Sequence, residues 1–471
     1  MSAVLFGIQG NRIKETQFFA KMATAGYKSR EYGHTGQGFS YLWGALGANA
    51  GGPDATAAFF KESSWHLDLV RRCDGSFTYD GGEQFGPGKT DDNTYYGKSS
   101  YAGLSPAATY VLTYSLPLKN LYITGKNARK ANWLSKKEAA DAVASGNFDL
   151  DCKQKSPQEL VTAFSDWSPI VRSWAAEELA QRPEAEAMVP ALIKMAESPD
   201  AHIRQGACET LGYLKSADAA PVLAHRLTDP DVWVRSKAAK ALQNLGAASL
   251  PQLTEMLKAF ITNAKDPNVI QWDDPVQISN GHLAFVLFGN PIRNHFTLAA
   301  DTVNAPKTLL YPAVKAGLKQ ADSLPRSSVA GFVKNRFTLE DVQVLMPDIL
   351  EATAKECQAD TMWSMDPRAA GISTLAKYHI AEGIPVGLDM MITPPGFGWG
   401  EKTFKIAALN ALATYGTAAR WTLPTLKGYL KTWNQTSSEY TNLVNTIVAI
   451  ESATNAPPLI SGRGQPASRD R

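Results

Sequence analysis

Cysteine is scarce in this chain. Cys73, Cys152, Cys208 and Cys357 are the only four among 471 residues, and they lie far apart. With no CxxC pair and no Cys/His cluster, neither a structural zinc site nor a disulfide framework is expected. Buried, reduced thiols are the expectation instead. Long apolar runs are also lacking. No stretch approaches the ~20 residues that cross a bilayer, so no membrane span is expected. The opening MSAVLFGIQGNRIKE has neither the basic start nor the extended apolar core of a secretory signal. Net charge is close to nil, at +2. Without a basic block or an acidic tail, nucleic acid and anionic membrane are not expected as the main partners. The short motifs of nucleophilic, metal-dependent and nucleotide chemistry are missing as well. There is no SxxK, HExxH, Walker A or GxGxxG element, and GKSSYAG (97–103) has the wrong spacing for a nucleophile elbow. No cofactor and no metal site is therefore expected.

What is present is a folded-protein composition, 44% hydrophobic and 20% charged, in a chain long enough for two or three domains. Three textures follow one another. Residues 1–128 are rich in glycine and aromatics, 129–260 are alanine-rich with regular helical periodicity, and 261–455 alternate helical stretches with proline- and glycine-bearing loops. The polar end, 456–471, is expected to be disordered.

The middle region repeats. SPIVRSWAAEELA from Ser168, DAHIRQGACETLG from Asp200 and the segment from Asp231 align on Arg172, Arg204 and Arg235, which are 32 and 31 residues apart. Four residues before each arginine stands Ser168, Asp200 or Asp231, suited to cap a helix start. Val171, Ile203 and Val234, then Ala175, Ala207 and Ala238, then Leu179, Leu211 and Leu242, form one apolar stripe at helical spacing. The alanines permit close helix approach. The arginine is expected to reach the preceding unit's cap residue, giving an acid–arginine ladder along the stack. Pro190 and Pro221 fall near the start of the other helix of each unit, where a missing N–H costs little. This pattern resembles HEAT repeats, which implies a solenoid of paired antiparallel helices. Weaker copies follow, with Asp366, Arg368, Ala370 and Leu375 in one and Ala408, Leu412, Gly416 and Pro424 in another. Between them ITPPGFGWGEK (392–402) reads as a loop that projects Phe397 and Trp399. We read 261–455 as a continuation of the solenoid.

In the first region, RIKETQFFAKMATAG, GQGFSYLWGALGA and DATAAFFKESSWHLDLVRRC each carry an apolar helical face, the second through Phe39, Leu42, Trp43 and Leu46. Asp54 is the expected cap of the third, and Pro117 is expected to end or kink a later helix. SSWHLDLVRRCDGSF (63–77) resembles the helix-then-DGSF unit of terpenoid-cyclase and prenyltransferase α/α toroids, matching at Trp65, Asp74, Gly75, Ser76 and Phe77. The glutamine that precedes DGSF in the cyclases and their DxDD acid motif are absent, and TDDN (90–93) is a poor substitute. Cyclase chemistry is therefore not carried over. With GHTG (33–36), YVLTYSLPLKNLYITGK (110–126) and the repeats, the chain resembles a bacterial family that joins such a toroid to HEAT-like repeats. That resemblance implies an all-α fold, a partial α/α toroid followed by a HEAT-like solenoid. It also implies upstream toroid helices before the apolar opening. A cytoplasmic location is expected for a complete chain, and a periplasmic or secreted one if a signal precedes it.

GHTG reads either as a turn whose His34 or Thr35 caps the next helix, or as a site where His34, beside the positive end of that helix, acts as acid or base or holds an anion. Asp74, Ser76, Thr78 and Asp80 have calcium-loop spacing, but Phe85 stands where the bidentate glutamate belongs, so an Asx turn is the simpler reading. Asp80, Glu83, Asp91 and Asp92 offer carboxylate pairs for glycoside hydrolysis. Tyr95, Tyr96 and Tyr101 suit sugar stacking or lyase chemistry. The candidate catalytic set is His34, Asp80, Glu83, Asp92 and Tyr95, and the candidate ligand-binding set is Trp43, Trp65, Asp74 and Tyr96. His66, His202 and His225 read as structural or surface residues, His282 and His295 are isolated, and Trp167, Trp174 and Trp233 read as solenoid core or groove. The expected function is binding or scaffolding of a protein or glycan at the toroid mouth and the concave solenoid face. The alternative is a glycan hydrolase or lyase at that mouth.

Overall fold

The structure, a computed structural model, describes residues 1–28, 36–71, 73, 107–126, 128–264, 275–290, 295–320, 322–355, 367–393 and 401–461. Among these, every regular element longer than one residue is helical, so the fold is all-α. The chain divides into two compact units, Met1–Glu178 and Leu179–Arg471.

The principal helices of the first unit are α1 (Ser2–Gln9), α2 (Ile13–Ala25), α3 (Gly36–Ala50), α4 (Pro53–Val70), α5 (Ala107–Tyr114), α6 (Lys136–Gly146), α7 (Pro157–Thr162) and α8 (Pro169–Ala180), near whose end the division falls. Tyr41, Leu42, Ala45 and Leu46 of α3 join Phe59, Leu67 and Tyr110 in one buried cluster. The glycines of α3 serve packing. A Cβ on Gly47 would stand 2.6 Å from that of Ala23, so α2 and α3 touch where a side chain is missing. The expected cap Asp54 lies inside the first turn of α4, and Gly52 takes the capping position with φ of 91°. Pro117 falls in a 3-10 turn beyond the end of α5, as expected.

The second unit is a two-row stack. Its principal helices are α9 (Val189–Met195), α10 (Ala201–Leu214), α11 (Ala220–Arg226), α12 (Val232–Leu245), α13 (Leu253–Asn263), α14 (Pro275–Phe288), α15 (Lys307–Leu318), α16 (Ser323–Arg336), α17 (Met346–Ala354), α18 (Pro367–Lys377), α19 (Gly383–Ile392), α20 (Glu401–Ala413), α21 (Leu423–Tyr429) and α22 (Ser438–Ser452). The even-numbered helices from α10 to α22 pack each on the next, and α11, α13, α15, α17 and α19 form the second row. This is the architecture of a HEAT-like solenoid.

The repeat pattern explains it locally. Asp200 accepts the His202 amide at 2.8 Å, and Asp231 accepts those of Trp233 and Val234, each at 2.9 Å. Pro190 and Pro221 occupy the first turns of α9 and α11. Ala207, Leu211, Ala238 and Leu242 are fully buried. A Cβ on Gly212 would lie 2.7 Å from Cα of Ala241, so α10 and α12 meet nearly backbone to backbone.

Helix packing crosses the expected boundaries at 128/129 and 260/261: α6 packs on α2 and α4, and α13 runs through residue 260 onto α14 and α15. Two expectations need correction. Of the tail expected to be disordered from 456, residues 456–461 are ordered, and 462–471 lie outside the described residues. Ile460 pairs in parallel with Ile380, accepting the Ala381 amide at 2.8 Å and donating to His379 O at 3.0 Å. Of the cysteines, Cys152 and Cys208 are buried as expected, but Cys73 is exposed, and Cys357 lies outside the described residues. Burial pushes the Cys208 thiol up to about 12, which leaves it unreactive.

Candidate binding surfaces

The repeat arginines are interior struts. Arg172 donates through Nη1 to the carbonyls of Asp166 and Trp167 at 2.6 and 3.1 Å. Arg204 does the same to Ser198 and Pro199 at 2.8 and 3.0 Å. Each thus ties the loop before its own helix. The expected ladder to the preceding cap residue is not what forms. Arg204 instead reaches forward, with Nε and Nη2 on the two oxygens of Asp229 at 2.9 and 2.8 Å. Gln205 takes the next cap, Asp231, at 3.1 Å. Arg235 donates to Asn263 at 3.2 Å, and Asn263 donates to Leu227 O at 2.8 Å. Because Arg204 and Asp229 are both buried and paired in a fork, they brace the stack and are not offered to a ligand.

Two residues before the arginine, the repeat turns outward. Ile170 is 45% exposed and Trp233 is 51% exposed at that position, and His202 is half-buried there. Trp167 and Trp174 are half-buried, so only Trp233 of the three repeat tryptophans stands out from the stack.

In the first unit, α1, the C-terminal part of α3 and residues 122–132 line a cleft of about 250 Å³. Val4, Ile8 and Leu46 supply apolar wall, and Asn49, Tyr122, Lys126, Arg129 and Asn132 supply polar groups. Arg129 is seated by α1. Its Nη1 donates to Gly10 O, and a Cβ at Gly10, where φ is 79°, would overlap the guanidinium. Gly10 ends α1, so the cation also sits at the negative end of that helix. Asn132 is 4% exposed, and its Oδ1 receives no hydrogen bond among the described residues. Among the described residues no carboxylate lines the cleft. The sequence reading passed over this site. Its signal was local: residues 119–130 hold Lys119, Lys126, Arg129 and Lys130 and no acid, a basic cluster in a chain of near-zero net charge.

Most of the expected site is not among the described residues. His34, Asp74, Asp80, Glu83, Asp92, Tyr95 and Tyr96 are outside the described residues, as are Asp91, Tyr101, Phe397 and Trp399. Trp43 packs half-buried against the first unit's core. Trp65 is 59% exposed and donates Nε1 to Glu62 O at 3.0 Å. His66 is buried and stacks on Tyr41 with ring centroids 4.5 Å apart, a structural position as expected. His225 is exposed beside Arg226. Burial, then Lys240 and Lys237, lower the pKa of His282. Among the described residues no cluster of three metal-ligating side chains occurs, and no helix is long and apolar enough to cross a membrane.

Residues 1–125 match the model of a domain of unknown function, DUF6288. Residues 157–243 and 189–272 match the HEAT-repeat model. No curated protein matches the chain. Among solved structures, the complex of CpcE and CpcF of phycocyanin lyase from Nostoc is similar at 18% identity. That match covers 63% of this chain and 95% of that one, with a TM-score of 0.27. An engineered protein is similar at 14% identity, covering 96% and 98%, with a TM-score of 0.30. At such TM-scores neither likeness carries weight on fold or function. The chain thus carries HEAT repeats over 157–272 behind a separately matched N-terminal region.

Proposed function

We propose that the chain is a binding scaffold whose HEAT-like stack holds a protein partner. The observation that carries this reading is the recurrence of large exposed apolar side chains, Ile170 and Trp233, at one position of a repeat whose interior is otherwise closed by apolar and arginine packing. An exposed tryptophan on a rigid helix start suits an interface anchor, and repeat stacks present extended surfaces for such contacts. A photo-crosslinking residue at position 233 is expected to give one discrete adduct in extract of the source organism. The adducted protein, once purified, should bind the wild-type chain and lose about tenfold or more in affinity to Trp233→Ala, with thermal unfolding unchanged. Equal affinity for both chains, or no adduct from position 233, removes the reading.

For residues 1–128 the α/α toroid is part of the same proposal, supported by the resemblance of 63–77. A glycan hydrolase or lyase at its mouth is the alternative, supported by the closeness in sequence of Asp80, Glu83, Asp92 and Tyr95, with His34 upstream. Its test is turnover of a polysaccharide panel by the wild-type chain and by His34→Ala. Equal rates exclude His34, and no turnover by the wild type excludes the activity.

A further inference from the structure

We propose that the cleft between α1, α3 and residues 122–132 binds a sugar acid of monosaccharide size. Charge selects an anion. Lys126 and Arg129 both line the cleft, no carboxylate does among the described residues, and the four basic residues of 119–130 have no acid among them in sequence. Arg129 is pre-set rather than searching, because Gly10 holds one of its N–H groups and leaves the rest of the fork for a planar carboxylate. Asn132 adds a polar group to the wall, its amide buried and its Oδ1 without a hydrogen bond among the described residues.

The remaining wall is apolar. Val4, Ile8 and Leu46, with the ring of Tyr122 standing 67% exposed, fit the C–H face of a sugar ring and would be idle beside inorganic phosphate. The volume, about 250 Å³, lies just below the range of about 300–1,000 Å³ typical of larger ligands, which favours one ring over an oligosaccharide or a nucleotide. This site is independent of the solenoid surface around Trp233.

Calorimetric titration of the full chain tests it with glucuronate, glucose and inorganic phosphate as probes. Glucuronate is expected to bind saturably, and glucose and phosphate at least tenfold more weakly. The double variant Lys126→Gln, Arg129→Gln is expected to lose tenfold or more for glucuronate while retaining its circular dichroism and melting. Tyr122→Ala, at an exposed position where folding is not at stake, should weaken glucuronate several-fold. No binding by the wild type, equal binding of glucose, equal binding of phosphate, or affinity unmoved by the double variant each overturns the proposal.

Discussion

Asp341 shows how a single carboxylate is held at the start of a helix in the stack. Its Oδ2 accepts the amide and hydroxyl of Thr338, and its Oδ1 accepts Lys307 Nζ at 2.7 Å and the Tyr311 hydroxyl at 2.9 Å. Burial pushes its pKa up, but these hydrogen bonds outweigh burial and hold it at about 2. The folded state therefore favours the charged form relative to the unfolded chain, where an aspartate titrates near about 3.9. The stability it contributes is complete above that value and is lost as pH falls through about 2. Urea unfolding at a series of pH values should show Asp341→Asn less stable than wild type near neutrality. The gap should narrow progressively between about pH 4 and 2, and a constant gap would refute the assignment. Locally the sequence marks Asp341 only as the third helical residue of a capping box with Thr338. Its partners Lys307 and Tyr311 lie on α15, 34 and 30 residues away in chain, and only packing brings them to it. The repeat arginines were legible from their spacing, but their partners were not. The expected contact to the preceding cap gives way to a forward contact with Asp229, because helix stacking decides which neighbouring loop the guanidinium meets.

At the scale of elements, the caps and starts of the repeat helices were readable because they depend on residues within four positions of each other. One repeat helix passed unnoticed. Asp322 caps α16 by accepting the Leu324 amide, and Arg326, four residues on, donates to the carbonyls of Ala352 and Lys355 at 2.9 and 3.0 Å. Val329 and Val333 complete the stripe at the expected offsets and are buried. Pro325 in place of the apolar residue before the arginine disguised the pattern. The close approach of α10 and α12 belongs to this scale. Gly212→Ala would ordinarily favour a helix by up to ~1 kcal/mol. Here the added methyl meets the backbone of Ala241, which cannot turn aside as a side chain can. Overpacking of this kind costs about 1–3 kcal/mol. Denaturant unfolding of Gly212→Ala should therefore show a net loss of stability, and a gain would mean the two helices can part freely.

For the whole molecule, the surprise is the course of residues 453–461. Residues 453–461 return along the α18–α19 and α20–α21 connections. Asn455 O accepts the Thr417 amide at 3.3 Å, Ala453 O accepts Arg420 at 2.6 Å, and Ile460 pairs with Ile380. Four such bonds, at about 0.5–1.5 kcal/mol each, make this segment a clasp on the last helices of the stack. Ending the chain at Ser452 should lower the melting temperature of the second unit in differential calorimetry, and an unchanged transition would show that the clasp adds no stability. Composition hid this, since a polar, proline-bearing stretch reads as loose when its backbone partners are distant in sequence.

The sequence alone determined the all-α class, the HEAT-like repeat with its caps, stripe and first-turn prolines, and the absence of familiar catalytic motifs. All of these rest on side chains spaced within one or two helical turns, where periodicity is a direct physical readout. Tertiary structure alone decided the division near residue 178, the forward reach of Arg204, the clasp at Ile460 and the cationic cleft around Arg129 and Asn132. Each joins groups that are distant in sequence, and only the packed backbone sets which distant groups meet.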